Sequence, residues 1–195
     1  MNSPGESKIA REALRKRLLT LRDGLNEGQR RAADLAMAAR LDAVKVISRA
    51  RVIGVYAAMR SEPDLGALFE AWRSRGRQLA LPISERACPL RFCRWQAGAE
   101  LAADAFGVSV PVERDWVEPD CLIIPCVGFH RAGTLVYRIG YGGGYFDRTL
   151  AARPVAAVGV AYDVLEAPGF EPAGFDIPLD AVVTESRLIS SIASP

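Results

Sequence analysis

From residue 50 onward the chain alternates short apolar runs with segments of helical periodicity, and this alternation restricts the fold more than any other feature. Val52 to Ala57, Gln78 to Ile83, Leu90 to Trp95, Cys121 to Pro125, Val155 to Ala161 and Ala181 to Thr184 read as strands. Asp64 to Arg75, with Asp64 as a capping carboxylate after Pro63, and Tyr145 to Ala152 read as helices. Cys121-Leu-Ile-Ile-Pro125 is nearly continuously apolar, as strands buried on both faces of a parallel sheet are. The pattern predicts an open, mainly parallel α/β sheet with right-handed crossovers and helices on both faces.

Two helices precede that region. Leu14, Leu18, Leu21 and Leu25 recur at helical spacing, so Lys8 to Arg22 reads as an amphipathic helix with a leucine stripe and a basic remainder. Gly24 and Gly28 bracket a break, after which Arg30 to Ile47 reads as a second helix. Residues 1–50 carry 11 basic and 6 acidic residues against 14 and 17 in the rest, so near-neutrality hides a basic start. The basic helix admits three readings: a solvated face, a contact to an anionic small molecule, or a nucleic-acid arm. No aromatic residue is interleaved for base stacking, which disfavours the third.

The 195 residues are half apolar with little net charge, which excludes intrinsic disorder and suits one domain over 1–195. Residues 1–7 are expected to be flexible, and 8–50 to form a helical segment packed on the domain. No repeat, low-complexity tract or dividing linker interrupts the chain. No apolar run approaches the ~20 residues of a membrane helix, and Met1 to Arg11 lacks a signal-like stretch. A soluble, cytoplasmic monomer without membrane or nucleic-acid partners is the expectation. Cys88 and Cys93, then Cys121 and Cys126, form two equally spaced pairs, but His130 is the sole histidine. Half-buried thiols are the expected reading over a zinc site or disulfides.

The strongest local signal is Tyr137-Arg-Ile-Gly-Tyr-Gly-Gly-Gly-Tyr-Phe-Asp-Arg148, placed after the buried strand and a short loop and opening a helix. Open α/β sheets bind ligands at the carboxyl ends of their strands, glycines permit close backbone approach, and amides at a helix start face anions. No Lys-Ser/Thr follows the glycines, and Tyr145 stands at the third glycine position of a dinucleotide fingerprint. Spacing alone leaves a phosphate site or a tight structural turn. Arg138 can brace phosphate oxygens, and Asp147 can hold Mg²⁺ with Asp176 as a second acid; equally, Asp147 suits a helix-dipole partner and Asp176 a turn.

This loop, with Gly54 to Asp64 and Phe175 to Glu185, resembles the 5-formyltetrahydrofolate cyclo-ligase family, whose hallmark is Arg-Leu-Gly-x-Gly-x-Gly-Tyr-Tyr-Asp-Arg. The resemblance runs in order along nearly the whole chain. It implies a Rossmann-like fold and an ATP- and Mg²⁺-dependent ligase that cyclises 5-formyltetrahydrofolate to 5,10-methenyltetrahydrofolate, through phosphorylation of the formyl oxygen and release of ADP and phosphate. It further implies that Lys8, Arg11 and the run Arg138, Ile139, Gly140, Tyr141, Gly142, Gly143, Gly144, Tyr145 and Phe146 line ATP. Ala57, Glu62 and Tyr141 to Tyr145 would border the folate, Asp147 and Asp176 would hold Mg²⁺, and Arg138, Tyr145 and Asp147 would be catalytic.

The family pattern has a Lys-x-x-x-Arg in its first helix; here Ser7 stands at the lysine position, so Lys8, or Arg15 completing Arg11-x-x-x-Arg15, is the expected substitute. Thr134-Leu-Val136 is an insertion, His130 stands at the usual aspartate, and Phe175 replaces a common histidine. These departures keep open a nucleotide-, folate- or sugar-phosphate-binding homologue without turnover. A nucleic-acid module built on the first helix is the third alternative.

Overall fold

A computed structural model describes residues 4–104 and 107–192. Helices α1 (Pro4–Asp23), α2 (Glu27–Asp42) and α3 (Lys45–Arg49) lead into β1 (Val52–Gly54), α4 (Gly66–Ser74) and β2 (Gln78–Ile83). Short strands follow: β3 (Arg91–Arg94), β4 (Leu101–Ala103), β5 (Ser109–Pro111) and β6 (Trp116–Val117). Then come β7 (Cys121–Pro125), β8 (Gly128–Ala132), β9 (Leu135–Ile139), α5 (Tyr145–Ala152), β10 (Ala156–Val160), β11 (Ala181–Val183) and β12 (Leu188–Ser190).

One eight-stranded sheet runs in the order β12-β11-β10-β7-β1-β2-β3-β6. Its five central strands, from β11 to β2, are parallel, and β12, β3 and β6 extend it antiparallel at the edges. This is the open, mainly parallel sheet the alternation predicts. Along β7, Cys121 and Ile123 join the core beneath α1 to α4, while Leu122 and Ile124 join the core beneath α5. Alternate side chains of a pleated strand point opposite ways, so a strand buried on both faces must be apolar throughout. Helices cover both faces, four on one and α5 on the other with the β8–β9 hairpin. The chain moves from β1 outward to β2, then returns to β7 on the other side of β1, so the strand order reverses between β1 and β7. A crevice opens at the carboxyl ends of such a pair.

Several boundaries differ from the sequence expectation. Helix α1 begins at Pro4, so residues 4–7 are helical, and residues 1–3 lie outside the described residues. Helix α2 starts at Glu27 because Asn26 and Gln29 form a reciprocal cap: the Asn26 carboxamide oxygen accepts the Gln29 N–H and the Gln29 side chain accepts that of Asn26, both at 2.9 Å. The stretch to Ile47 breaks at Ala43–Val44, and Val44 is extended. Near the break the Asp42 carboxylate accepts the buried Trp72 indole N–H at 2.7 Å. Asp64 accepts the Gly66 N–H at 3.0 Å, closing a turn just outside α4, whose N-cap is Leu65. The strand starting at Val52 stops at Gly54, and Ala181–Val183 is followed by the antiparallel β12.

The leucine stripe of α1 meets the body over most of its length: Leu18 is fully buried and Leu14 and Leu25 pack against the core, while Leu21 is 42% exposed. Arg11, Arg15 and Arg22 share that side of the helix with Leu18, spaced by four, three and four residues, and also turn toward the protein, with Arg22 wholly enclosed. Their guanidinium groups find partners far along the chain, so three of the six basic residues of α1 face inward. Lys8, Lys16 and Arg17 remain exposed. Among the described residues, no helix is long and apolar enough to cross a membrane.

Candidate active site

The crevice between β1 and β7 opens into a cavity of about 620 Å³. The strand ends reach it through Tyr56, Ala57 and Pro125, and α1 contributes Arg11 and Arg15. The wall from Arg138 to Asp147 contributes the whole glycine loop. Ala57, Glu62, Tyr145 and Asp176 also line it, so every site residue expected from the sequence meets in one cleft except Lys8. Lys8 is exposed on the outer side of α1, and Arg15 completes the pair with Arg11.

The loop begins at the end of β9, the second strand of a hairpin with β8, where a short loop was expected. Gly133 and Thr134 turn the hairpin at its far tip, so the inserted Thr134-Leu-Val136 lies at the end of β9 away from Gly140. His130 sits mid-strand, edge-on to Phe170 at 6.5 Å, and is not part of the cleft wall.

Two arginines brace the loop by its carbonyls. Arg15 Nε donates to the Gly140 carbonyl at 2.9 Å, and Arg148 Nη1 donates to the Gly143 carbonyl at 2.8 Å. Across a trans peptide the next N–H points the opposite way, so the amides of Tyr141 and Gly144 face away from these arginines. Gly142 and Gly144 have φ of +98° and +66°, a backbone that side chains resist, and Gly144 caps α5 in that conformation. The start of α5 therefore presents its first amides at the loop end.

Two arginine–aspartate pairs close the anion-facing wall. Arg138 is buried and donates from Nη2 to Asp147 at 2.5 Å. Arg11 donates from Nη2 to Asp176 at 2.6 Å and to the Glu171 carbonyl at 2.9 Å, and lies over the rings of Phe170 and Phe175 at 4.8 and 5.2 Å. The other Asp147 oxygen accepts the N–H of Ile177, the residue that follows Asp176, at 3.4 Å, and both acids line the cleft. Carboxylate oxygens are the hard donors Mg²⁺ selects, and it commonly takes one or two of them with phosphate and water oxygens. Asp147 and Asp176 thus fit Mg²⁺ provided Arg138 and Arg11 share their charge with a polyphosphate. Among the described residues no group of three or more acids, cysteines or histidines gathers in a metal-binding cluster. Phe175, 67% exposed, replaces a histidine in the family pattern and supplies a ring to the cleft mouth.

The opposite wall is built on Glu62. Arg60 and Ser61 adopt φ of +48° and +59°, two successive left-handed residues without glycine, and this tight turn brings Glu62 back so that its Oε2 accepts the Met59 N–H at 3.1 Å. Its Oε1 accepts the Tyr141 hydroxyl at 3.0 Å. Burial pushes the Glu62 carboxyl above its ordinary value, opposed by those hydrogen bonds and by Arg22 and Arg60. A buried carboxylate with free lone pairs can receive two N–H donors from an aminopyrimidine edge.

Sequence reasoning missed Phe170, Met59, Arg60, Ser84, Leu90 and Val108 in the lining. They come from four separate loops, and no local pattern marks them. Cys93, Cys121 and Cys126 are buried core thiols, with Cys121 and Cys126 pushed up to about 12 by desolvation, and Cys88 is exposed.

Residues 7–185 match the description of the 5-formyltetrahydrofolate cyclo-ligase family. A 5-formyltetrahydrofolate cyclo-ligase of Mycolicibacterium smegmatis is 27% identical over 201 residues, spanning 95% of this chain and 99% of that protein. One of Escherichia coli is 31% identical over 186 residues, spanning 89% and 96%. The solution structure of Aquifex aeolicus 5,10-methenyltetrahydrofolate synthetase superposes with a TM-score of 0.82 at 30% identity, over 95% of this chain and 94% of that one. A 5,10-methenyltetrahydrofolate synthetase from Mycoplasma pneumoniae shares the fold, with a TM-score of 0.72 at 22% identity over 90% and 98%.

Proposed function

The chain belongs to the 5-formyltetrahydrofolate cyclo-ligase family, ligases that make methenyltetrahydrofolate, and from that premise we propose that its cleft drives the cyclisation with ATP and Mg²⁺. One observation carries the reading: a single cavity has a cationic, glycine-lined wall on one side and a buried carboxylate on the other. The first suits a polyphosphate and the second a pterin.

A formamide oxygen leaves poorly. ATP supplies the phosphoryl group that lets it depart as phosphate, and Mg²⁺ screens the charge gathered on the transferring oxygens. The formyl carbon exchanges its bond to oxygen for one to the second folate nitrogen, which sheds its proton. This chain's work is positioning and charge neutralisation. Arg11 and Arg15, one helical turn apart, meet the phosphates from α1, and the amides of Gly140 to Gly144 meet them from the loop. Asp147 and Asp176 would hold the metal, with Arg138 holding Asp147 in place. Glu62 grips the pterin beside Ala57, which sets the formyl group against the loop. Tyr145, at the start of α5, borders both halves. No covalent nucleophile is needed, and the described cleft lining contains neither cysteine nor histidine.

Incubation with 5-formyltetrahydrofolate, ATP and Mg²⁺ should yield methenyl-folate and ADP in equal amounts, and Asp147→Ala should lower the rate at least ~100-fold, the scale of removing one charged transition-state contact. Product formed without ATP, or full activity in Asp147→Ala, would remove the proposal, and folded protein that forms no product would favour a binding homologue.

A further inference from the structure

Among the described side chains of α1, Arg22 is the one charged group with no exposed surface, and it does not line the cleft. Its Nη2 donates to the Tyr141 hydroxyl oxygen at 2.6 Å, while Nε and Nη1 are buried without a hydrogen-bond partner. An enclosed guanidinium with idle donors is costly, and packing alone would be served as well by an apolar side chain of similar length. What the arginine adds is direction. A guanidinium can only donate, and a phenol has one proton. With Arg22 donating to its oxygen, Tyr141 must send that proton to Glu62 Oε1, 3.0 Å away.

We propose that Arg22 is a positioning residue for the folate site: through Tyr141 it fixes the donor direction at Glu62 and keeps Glu62 a carboxylate, ready to accept the pterin N–H groups. The substrate named here rests on the proposed function; the action of Arg22 on Glu62 does not. The relay also ties the glycine loop, through Tyr141, to the opposite wall of the cleft.

The surroundings of Glu62 leave Arg22 this task. Burial favours its neutral form, and Tyr56 and Cys126 lie near it from the ends of β1 and β7. Asp34 of α2 and Asp64 line the adjoining hollow with Arg30 and Arg31. Positive charge reaches it from Arg22 and from Arg60, whose guanidinium lies 5.8 Å from the Tyr141 ring centre, opposite in role to the acids. A carboxyl raised by burial takes up its proton as the pH falls through the raised value, so loss of an opposing cation moves that point further up.

The test is a ¹³C-carboxyl NMR titration of the ligand-free protein, with the Glu62 signal identified by its loss in Glu62→Gln. In Arg22→Met the Glu62 midpoint should rise by about one pH unit, the effect of losing a nearby opposite charge, and Arg22→Lys should restore most of it. Calorimetric binding of 5-formyltetrahydrofolate should weaken on the acid side with the same displaced midpoint, about tenfold one unit below it, with the alkaline limb largely kept. A Glu62 midpoint unmoved in folded Arg22→Met, with affinity reduced equally at every pH, would overturn the proposal and leave Arg22 a packing residue. Should Arg22→Met fail to fold, Arg22→Gln carries the test: its neutral amide can still donate to the Tyr141 oxygen and removes only the charge. There a raised midpoint supports the proposal and an unmoved one overturns it. If the parent protein binds no 5-formyltetrahydrofolate, the folate role falls; an unmoved midpoint in a protein that binds it refutes Arg22 alone.

Discussion

A methyl group at Gly140 would stand 2.3 Å from Arg138 Nη1, about 1 Å inside the nearest comfortable contact. The end of an arginine is normally free to swing aside, but this one is buried, paired with Asp147 and stacked 5.3 Å from the Phe146 ring centre. Gly140 has no left-handed backbone to protect, so Gly140→Ala tests the steric contact alone. Overpacking of a fixed site costs about 1–3 kcal/mol, and the lost chain freedom of glycine returns about 0.4–1 kcal/mol. A net loss of about 1–2 kcal/mol in denaturant unfolding is expected. The functional loss should exceed it in kind: a displaced Arg138 leaves Asp147 misplaced, and kcat/KM for ATP should fall about 10- to 100-fold, or about 1.4–2.8 kcal/mol of transition-state binding. Folate affinity measured without nucleotide should stay within about twofold, because Glu62 lies across the cleft. Unchanged stability and unchanged ATP kinetics in Gly140→Ala would show that Arg138 can leave Asp147 without consequence, and would refute the role given to the pair.

Asp147→Asn and Asp176→Asn should each raise the Mg²⁺ concentration needed for half-maximal rate at least ~10-fold, since each loses a charged oxygen donor; an unaltered Mg²⁺ titration would take that acid out of the metal site. Alkylation of the folded protein near pH 8 should place one adduct, on exposed Cys88, whereas the unfolded chain should take four. Burial raises the Cys121 and Cys126 thiols to about 12, so their reactive thiolates form only at strongly alkaline pH; intact mass after mild treatment is the check, and two or more adducts on native protein would contradict the core placement.

The elements that were legible in the sequence share one property: their side chains are apolar for a local reason. β2, β7 and α5 lie where their runs and periodicity place them. The β8–β9 hairpin was not legible because one face is partly solvated, so Gly128-Phe-His-Arg-Ala132 mixes polar and apolar residues. The short β4, β5 and β6 gain their pairing from neighbours rather than from their own composition. On α1 the leucine periodicity marked a side that does pack on the body, but the arginines sharing that side could not be read as inward-facing, because a basic residue turns inward only where it has a buried partner. Arg11, Arg15 and Arg22 have theirs at Asp176, Gly140 and Tyr141, more than a hundred residues away. The start of α2, by contrast, was readable in Asn26 and Gln29. Within the site, the glycines, Arg138, Asp147, Asp176 and Glu62 converge as the family resemblance implies, whereas spacing alone left phosphate site and structural turn both open. The turn that aims Glu62 depends on two left-handed residues, Arg60 and Ser61, that nothing in their side chains announces.

In the proposed reaction the formyl oxygen departs as phosphate from a single cleft holding both ligands. Substrate carrying ¹⁸O in the formyl group tests this in one turnover, with the released inorganic phosphate read by mass spectrometry. One ¹⁸O is expected in each phosphate, formed together with one methenyl product. Unlabelled phosphate accompanying the same product, with the ¹⁸O appearing in water, would contradict it.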